Sequence, residues 1–183
     1  MSASPSEAAQ PPAIELSVDD YAQHVLLPRF FRLFEDALNP WLKQKLRDHF
    51  QEEWFAKAKE CVGRPTGGFM KEDSTWATYI LGQVLNGCAQ ELSKEPDGLN
   101  SQRLKDETAQ VRWFRSEGDA HGAGLTAHEV QRFVSALEQV LTNCSALGSP
   151  ADGLVGREWR DSLHALRAVE AGAAASIAAD DLG

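Results

Sequence analysis

Residues 76–92 read WATYILGQVLNGCAQEL, and this stretch decides the class of fold. Apolar side chains recur along it in steps of four residues, at Trp76, Ile80, Val84, Cys88 and Leu92. Such spacing places them on one face of an α-helix, whose period is close to 3.6 residues. Further apolar side chains flank this face, so the helix is apolar over a wide arc and belongs at the centre of a bundle. Its N-cap is predicted at Ser74 or Thr75.

Helical patterns also occupy the sequence on both sides of this central stretch, and no segment shows sustained strand alternation. The segment after Thr126 begins with a capping box, because Glu129 stands three residues beyond the capping threonine. Together the segments predict an all-α fold, a helical bundle of four to five main helices with a C-terminal helical extension. The predicted helices are residues 18–27, 28–38, 40 to about 57, 74–92, 101–115 and 127 to about 144.

Three predicted boundaries depend on glycine and proline. Asn39 and Pro40 predict that one helix ends and another begins, because asparagine is a good N-cap and proline suits the first helical position. Gly118 and the glycines after it predict that the preceding helix ends near Arg115. Residues 61–73 are rich in glycine and include a proline, which predicts a loop.

Composition divides the chain into three parts. Residues 1–15 are rich in Ser, Ala and Pro and lack the features of a signal peptide, so we expect a disordered N-terminal segment. Residues 16–147 form the helical bundle, and residues 148–183 form a C-terminal extension that is partly helical or loose. In the extension, Trp159 and Leu166 lie on one face of a helix that packs on the bundle, binds a partner or frays. We expect its Ala-rich end to be loose.

Charge and cysteine content narrow the classes of function. The formal net charge of −9 argues against a protein that coats nucleic acid through many phosphate contacts. No apolar run approaches the length of a membrane span, so we expect no membrane partner. The three cysteines, Cys61, Cys88 and Cys144, are an odd number without close spacing. This favours small buried side chains in a reducing, cytoplasmic compartment over disulfides or zinc, and we expect no metal and no cofactor.

The stretch from Arg115 to His121 reads RSEGDAH and carries the candidate chemistry. Because predicted helices flank it, both side chains can point into one groove between them. Arginine binds phosphate oxygens through its planar fork, and histidine transfers protons near neutral pH. The pair is sufficient for phosphodiester cleavage without a metal. The structural alternative is that Arg115 only interacts with the helix dipole or pairs with Glu117 or Asp119.

The order of these elements resembles the HEPN superfamily (higher eukaryotes and prokaryotes nucleotide-binding). Its hallmark is an arginine, four to six further residues and a histidine between two bundle helices. The resemblance covers about residues 30–147 and is strongest to the HEPN domain of a nuclear endoribonuclease of transcript surveillance and its bacterial relatives. The segments that carry it are residues 37–41 with Trp54, residues 76–92, and residues 111–121 followed by 130–141.

Some positions depart from the family pattern. Ser116 stands where many members have asparagine, and Asp119 stands where this branch often has an aromatic residue. Arg112, after Val111, also resembles the start of the family motif, but it leaves eight residues before His121. We prefer Arg115 as the motif arginine and keep Arg112 as the alternative.

The resemblance implies a homodimer in which both Arg-His pairs line one cleft at the two-fold axis. It also implies metal-independent cleavage of RNA that leaves 2′,3′-cyclic phosphate ends. In such an endoribonuclease His121 is the general base or acid, Arg115 stabilises the transition state, and Arg112 and Ser116 bind the substrate. The setting we expect is a toxin–antitoxin or defence system, with a protein partner or antitoxin. The alternative is a non-catalytic HEPN-like module for dimerisation or partner binding.

Overall fold

The computed structural model describes residues 16–94, 101–120, 124–145 and 154–180. Within these ranges the chain is helical with short connections and no strand, which confirms the predicted all-α helical bundle. The N-terminal segment expected to be disordered, residues 1–15, lies outside them. The helices are α1 (Val18–Tyr21), α2 (Leu27–Phe50), α3 (Trp54–Val62), α4 (Arg64–Gly67), α5 (Thr78–Leu92), α6 (Ser101–Ala120), α7 (Ala127–Asn143) and α8 (Leu154–Asp180), with a π-helical turn at Ala22–Leu26 and a 3-10 turn at Gln51–Glu53.

Helix α5, predicted as the central helix, packs against α2, α3 and α6, so three neighbours cover its wide apolar arc. Helix α2 contacts one more helix, since it packs against α3, α5, α7 and α8. Six apolar side chains of α5 are buried in the core. They are Leu81, Val84, Leu85, Cys88, Ala89 and Leu92.

The predicted boundary at Asn39 and Pro40 is wrong, because α2 runs without interruption from Leu27 to Phe50. Asn39 is buried and does not cap a helix. Its Nδ2 donates to the carbonyl oxygens of Glu35 and Trp76, each at 2.9 Å, and its Oδ1 accepts from the Trp76 N–H at 2.8 Å. Proline inside a helix costs about 3 kcal/mol. Here burial of the apolar face of α2 offsets that cost, which is a tertiary effect.

We predict that Asn39→Ala lowers the free energy of unfolding by about 2–4 kcal/mol. The variant leaves the buried N–H and carbonyl of Trp76 without their partner, and each such loss costs about 1–3 kcal/mol. Thermal or urea unfolding measures the effect. Gln44→Ala is the control on the same helix. Gln44 is exposed, and the hydrogen bond described for its side chain is the one to Asp48. Equal stability of the two variants would contradict the role of Asn39.

The start of α5 also differs from the prediction. Neither Ser74 nor Thr75 caps the helix, which begins at Thr78 after Ala77 in extended geometry. A carboxylate on another helix supplies the cap: Glu35 Oε1 of α2 accepts the Thr78 N–H at 2.7 Å and its hydroxyl at 2.8 Å. Negative charge is favourable at the N-terminus of a helix, where N–H groups lack intrahelical partners. Helix α2 therefore fixes both the connection into α5 and its first turn.

The segment 61–73, predicted as a loop, is partly helical. Helix α3 continues to Val62, and the short helix α4 follows after Gly63, whose φ is +82°. Only residues with access to the left-handed region adopt such a φ readily, which explains the glycine at that position. The helix-breaking residues therefore shorten and redirect the helices without excluding them.

Helix α8 packs on the bundle, which is the first of the three alternatives for the extension. Trp159 and Leu166 are buried, and the Trp159 ring meets Phe30 of α2 edge-on with centroids 5.0 Å apart. The backbone is helical through Asp180, so the expectation of a loose Ala-rich end is wrong. In the described ranges, no helix combines the length and apolar character needed to cross a membrane.

Candidate functional site

Three of the four candidate residues, Arg112, Arg115 and Ser116, lie on α6, and the structure describes their backbone. His121 follows the last residue of α6 and lies outside the described residues. Residues three and four apart on a helix share a face, so the helical backbone places Arg112, Arg115 and Ser116 along one side of α6. The predicted end near Arg115 is wrong, since α6 continues through Gly118 to Ala120. A single glycine costs a helix only about 1 kcal/mol.

The earlier turns of α6 are held by buried side chains. Leu104, Thr108 and Val111 are buried, and their steps of four and three residues place them on one face of the helix. The Thr108 hydroxyl donates to the Leu104 carbonyl at 2.9 Å, so this buried polar group is satisfied within the helix. The face that they define fixes the rotation of this part of α6 about the helix axis.

A buried carboxylate joins α6 to α7. Glu107 is 4% exposed, accepts from Arg103 Nε at 2.9 Å and accepts from the amide Nδ2 of Asn143. A carboxylate removed from water needs such partners, because an unpaired buried charge is strongly destabilising. Asn143 is the last residue of α7, so this contact aligns the start of α6 with the end of α7.

The start of α7 carries the predicted capping box. Thr126 Oγ1 accepts the Glu129 N–H at 3.2 Å, and Glu129 Oε2 accepts from the Thr126 N–H and hydroxyl at 2.9 Å each. The Thr126 N–H, followed by the Thr126 hydroxyl, holds the pKa of the Glu129 carboxyl below its ordinary value. The structure thus confirms the capping box.

Two side chains near the N-terminus hold the connection into α7. Asp19 Oδ1 accepts the Ala127 N–H at 2.7 Å, and Gln23 Oε1 accepts the Leu125 N–H at 2.9 Å. A Cβ at Gly124 would lie 2.8 Å from Gln23 Oε1, so glycine permits this close approach. The chain therefore enters α7 at a fixed place, and α7 begins six residues after His121. Sequence reasoning missed Asp19 and Gln23, because no local pattern links residues about a hundred positions apart.

His128, in the first turn of α7, pairs with α8. Its Nδ1 lies 3.0 Å from Glu170 Oε1, and its side chain is exposed. His128 therefore helps to attach α8 to α7 through its contact with Glu170.

In the described part of the chain, no three His, Cys, Asp or Glu side chains are grouped so that they could hold a metal ion. A cavity of about 460 Å³ is formed by α3, α4 and the turn after them, with Lys59 and Glu60 as its charged lining. These two side chains carry opposite charges, so together they add no net charge to the cavity.

Comparison of the chain with protein-family models, with curated proteins and with solved structures gives no match. The helices of the structure define the class of protein as an all-α helical bundle. In this bundle a short connection joins α6 to α7, which begins with a capping box. The Arg115–His121 stretch occupies the end of α6 and the first position after it.

Proposed function

We propose that the protein is a metal-independent endoribonuclease of the HEPN type, which acts on RNA through Arg115 and His121. The observation that carries the proposal is the placement of the Arg115–His121 stretch at the end of α6, shortly before α7. Arg115 lies on the last turns of α6, and Gln23 holds the chain at Leu125. Proton transfer by His121 requires a constant geometry, which a chain held on the α7 side of this stretch favours.

The proposed reaction is a transesterification within the RNA. His121 accepts the proton of a ribose 2′-hydroxyl, and the 2′-oxygen attacks the neighbouring phosphorus. The bond from phosphorus to the 5′-oxygen breaks, and that oxygen leaves with a proton from an acid such as the protonated histidine. The products are a 2′,3′-cyclic phosphate and a 5′-hydroxyl. Arg115 stabilises the negative charge of the phosphorane-like transition state.

Arg112 and Ser116 are proposed to bind the substrate. The helical backbone brings Arg112 and Arg115 to one side of α6, which supplies two positive charges in a chain of net charge −9. Local arginines of this kind bind a phosphate without a broadly basic surface. A homodimer, implied by the resemblance, would bring two such helices to one cleft. A partner or antitoxin that restrains cleavage belongs to the same proposal.

The test is cleavage of a mixed pool of tRNA and single-stranded RNA by the purified full chain in the presence of EDTA. We expect fragments with 2′,3′-cyclic phosphate and 5′-hydroxyl ends. Fragments with 3′-hydroxyl ends, or activity restored only by a divalent cation, would exclude this mechanism. The absence of cleavage at high protein concentration, both alone and with RNA from several sources, would favour the non-catalytic helical module.

A further inference from the structure

Cys61 and Cys88 meet at the contact between α3 and α5. Their Sγ atoms lie 3.3 Å apart, although the residues are separated by 27 positions in the chain. Cys88 is buried, whereas Cys61 is half-buried, so Cys61 is the member of the pair that lies closer to solvent. The contact between Cys61 and Cys88 could not be predicted from the sequence, because the cysteines are odd in number and widely spaced.

Gly87 makes the approach of the two helices possible. A Cβ at this position would lie 2.5 Å from Cys61 Sγ and 2.7 Å from Cys61 Cβ, closer than non-bonded atoms pack. The absence of a side chain at Gly87 therefore lets Cys61 lie directly on the α5 backbone, next to Cys88. The pair results from close helix packing and is not an exposed surface feature.

The two thiols have unequal character. The hydrogen bond from Cys88 lowers the pKa of Cys61, and the same bond, with burial and the neighbouring Cys61 charge, raises the pKa of Cys88. The positive charge of Lys57 also lowers the pKa of Cys61, whereas burial and the carboxylates of Glu91 and Glu60 raise it. Since the thiolate is the reactive form of cysteine, Cys61 is the nucleophile of the pair.

We infer that Cys61 and Cys88 form a reversible oxidation site, which reacts with hydrogen peroxide and closes a disulfide between α3 and α5. The Cys61 thiolate attacks one peroxide oxygen, the O–O bond breaks, and the departing hydroxide takes a proton to become water. Cys61 is then a sulfenic acid. The Cys88 sulfur attacks the Cys61 sulfur, the S–O bond breaks, and the hydroxide released takes the Cys88 proton as a second water. Two thiols are oxidised and one peroxide is reduced.

The second step follows from the first. A sulfenic acid carries no charge, so the effect of the Cys61 thiolate on Cys88 ends once Cys61 is oxidised. The sulfur atoms must then approach from 3.3 Å to a bond length of about 2.05 Å, which side-chain rotation and a small shift of α3 can supply. This inference is independent of the proposed RNA cleavage, since it concerns α3 and α5.

Cys144 provides the internal control. It is buried, and burial, followed by the nearby Glu107, raises its pKa to about 12. A buried thiol of high pKa is unreactive towards peroxide. The protein therefore contains a reactive cysteine pair, and Cys144 is an unreactive cysteine with which that pair can be compared.

The experiment treats the reduced full chain with hydrogen peroxide, then denatures it and labels free thiols with N-ethylmaleimide. Mass spectrometry should show a fall from three labels to one, a loss of two hydrogens, and a peptide pair joined through Cys61 and Cys88. Dithiothreitol should restore three labels. Cys144→Ser should behave like the parent chain. Cys88→Ser should instead accumulate a sulfenic acid at Cys61 that dimedone traps, whereas Cys61→Ser should protect Cys88 from oxidation.

Circular dichroism checks the fold of each variant, and Cys88→Ala replaces Cys88→Ser if the serine variant does not fold. The result on the parent chain does not depend on any variant. Retention of all three labels after peroxide would overturn the inference. A disulfide to Cys144, a disulfide between two chains, or sulfinic acid at Cys61 with Cys88 still free would also overturn it.

Discussion

Replacing His121 with alanine should lower the rate constant for RNA cleavage in EDTA by about 10²–10⁴-fold. This is the range that a general acid–base group contributes to a reaction. Arg115→Ala should lower it by about 10²–10³-fold, which is the usual effect of removing one group that stabilises transition-state charge. Single-turnover cleavage of a defined RNA, followed by gel electrophoresis, measures both rate constants.

Arg112→Ala distinguishes the two alignments of the motif. If Arg115 is the motif arginine, loss of Arg112 should weaken RNA binding and change the single-turnover rate at saturating protein much less than loss of Arg115 does. The opposite order would assign the catalytic role to Arg112. His128→Ala is the matched histidine control, because His128 lies at the start of α7 and contacts Glu170. Cleavage that survives both His121→Ala and Arg115→Ala, with the fold intact, would reject the proposed site.

Trp159→Ala should lower the free energy of unfolding by about 3–5 kcal/mol, as expected for truncation of a buried tryptophan. For a chain of this size the melting temperature should fall by roughly 6–20 °C. The Trp159 side chain is 1% exposed and packs edge-on against Phe30, so its removal leaves a cavity between α8 and α2. Thermal and urea denaturation measure the change.

Trp159→Phe is the matched control. Phenylalanine keeps an aromatic ring beside Phe30 and removes the buried Nε1 group, which has no hydrogen-bond partner among the described residues. We expect a smaller loss than for Trp159→Ala, because phenylalanine fills more of the space and leaves a smaller cavity. Arg167→Ala, at an exposed position on the same helix, should change stability by less than about 0.5 kcal/mol. A melting temperature unchanged by Trp159→Ala would show that α8 contributes no packing energy to the bundle.

Local sequence predicted the class of fold well, because helical periodicity and caps involve residues close in the chain. The wide apolar arc of residues 76–92 identified a helix that three neighbours cover, and the Thr126–Glu129 pattern identified the start of α7. Each of these features depends on contacts within a few residues.

The predicted helix boundaries were wrong where a residue distant in the chain made a contact that the prediction assigned to a neighbouring residue. Pro40 lies inside α2 because the buried face of that helix and the bonds of Asn39 to Trp76 outweigh the local signal. Glu35 caps α5 in place of Ser74 or Thr75, and its carboxylate stands 43 positions away from Thr78.

The same division holds for the candidate sites. The sequence alone determined the helical class, the main helices and the Arg115–His121 stretch, since these are readable from neighbouring residues. Only the tertiary structure decided that Asp19 and Gln23 hold the entrance to α7, that α8 covers the bundle, and that Cys61 lies against Cys88. Helix packing brings these partners together, and the free energy that selects one packing is shared among residues far apart in the chain.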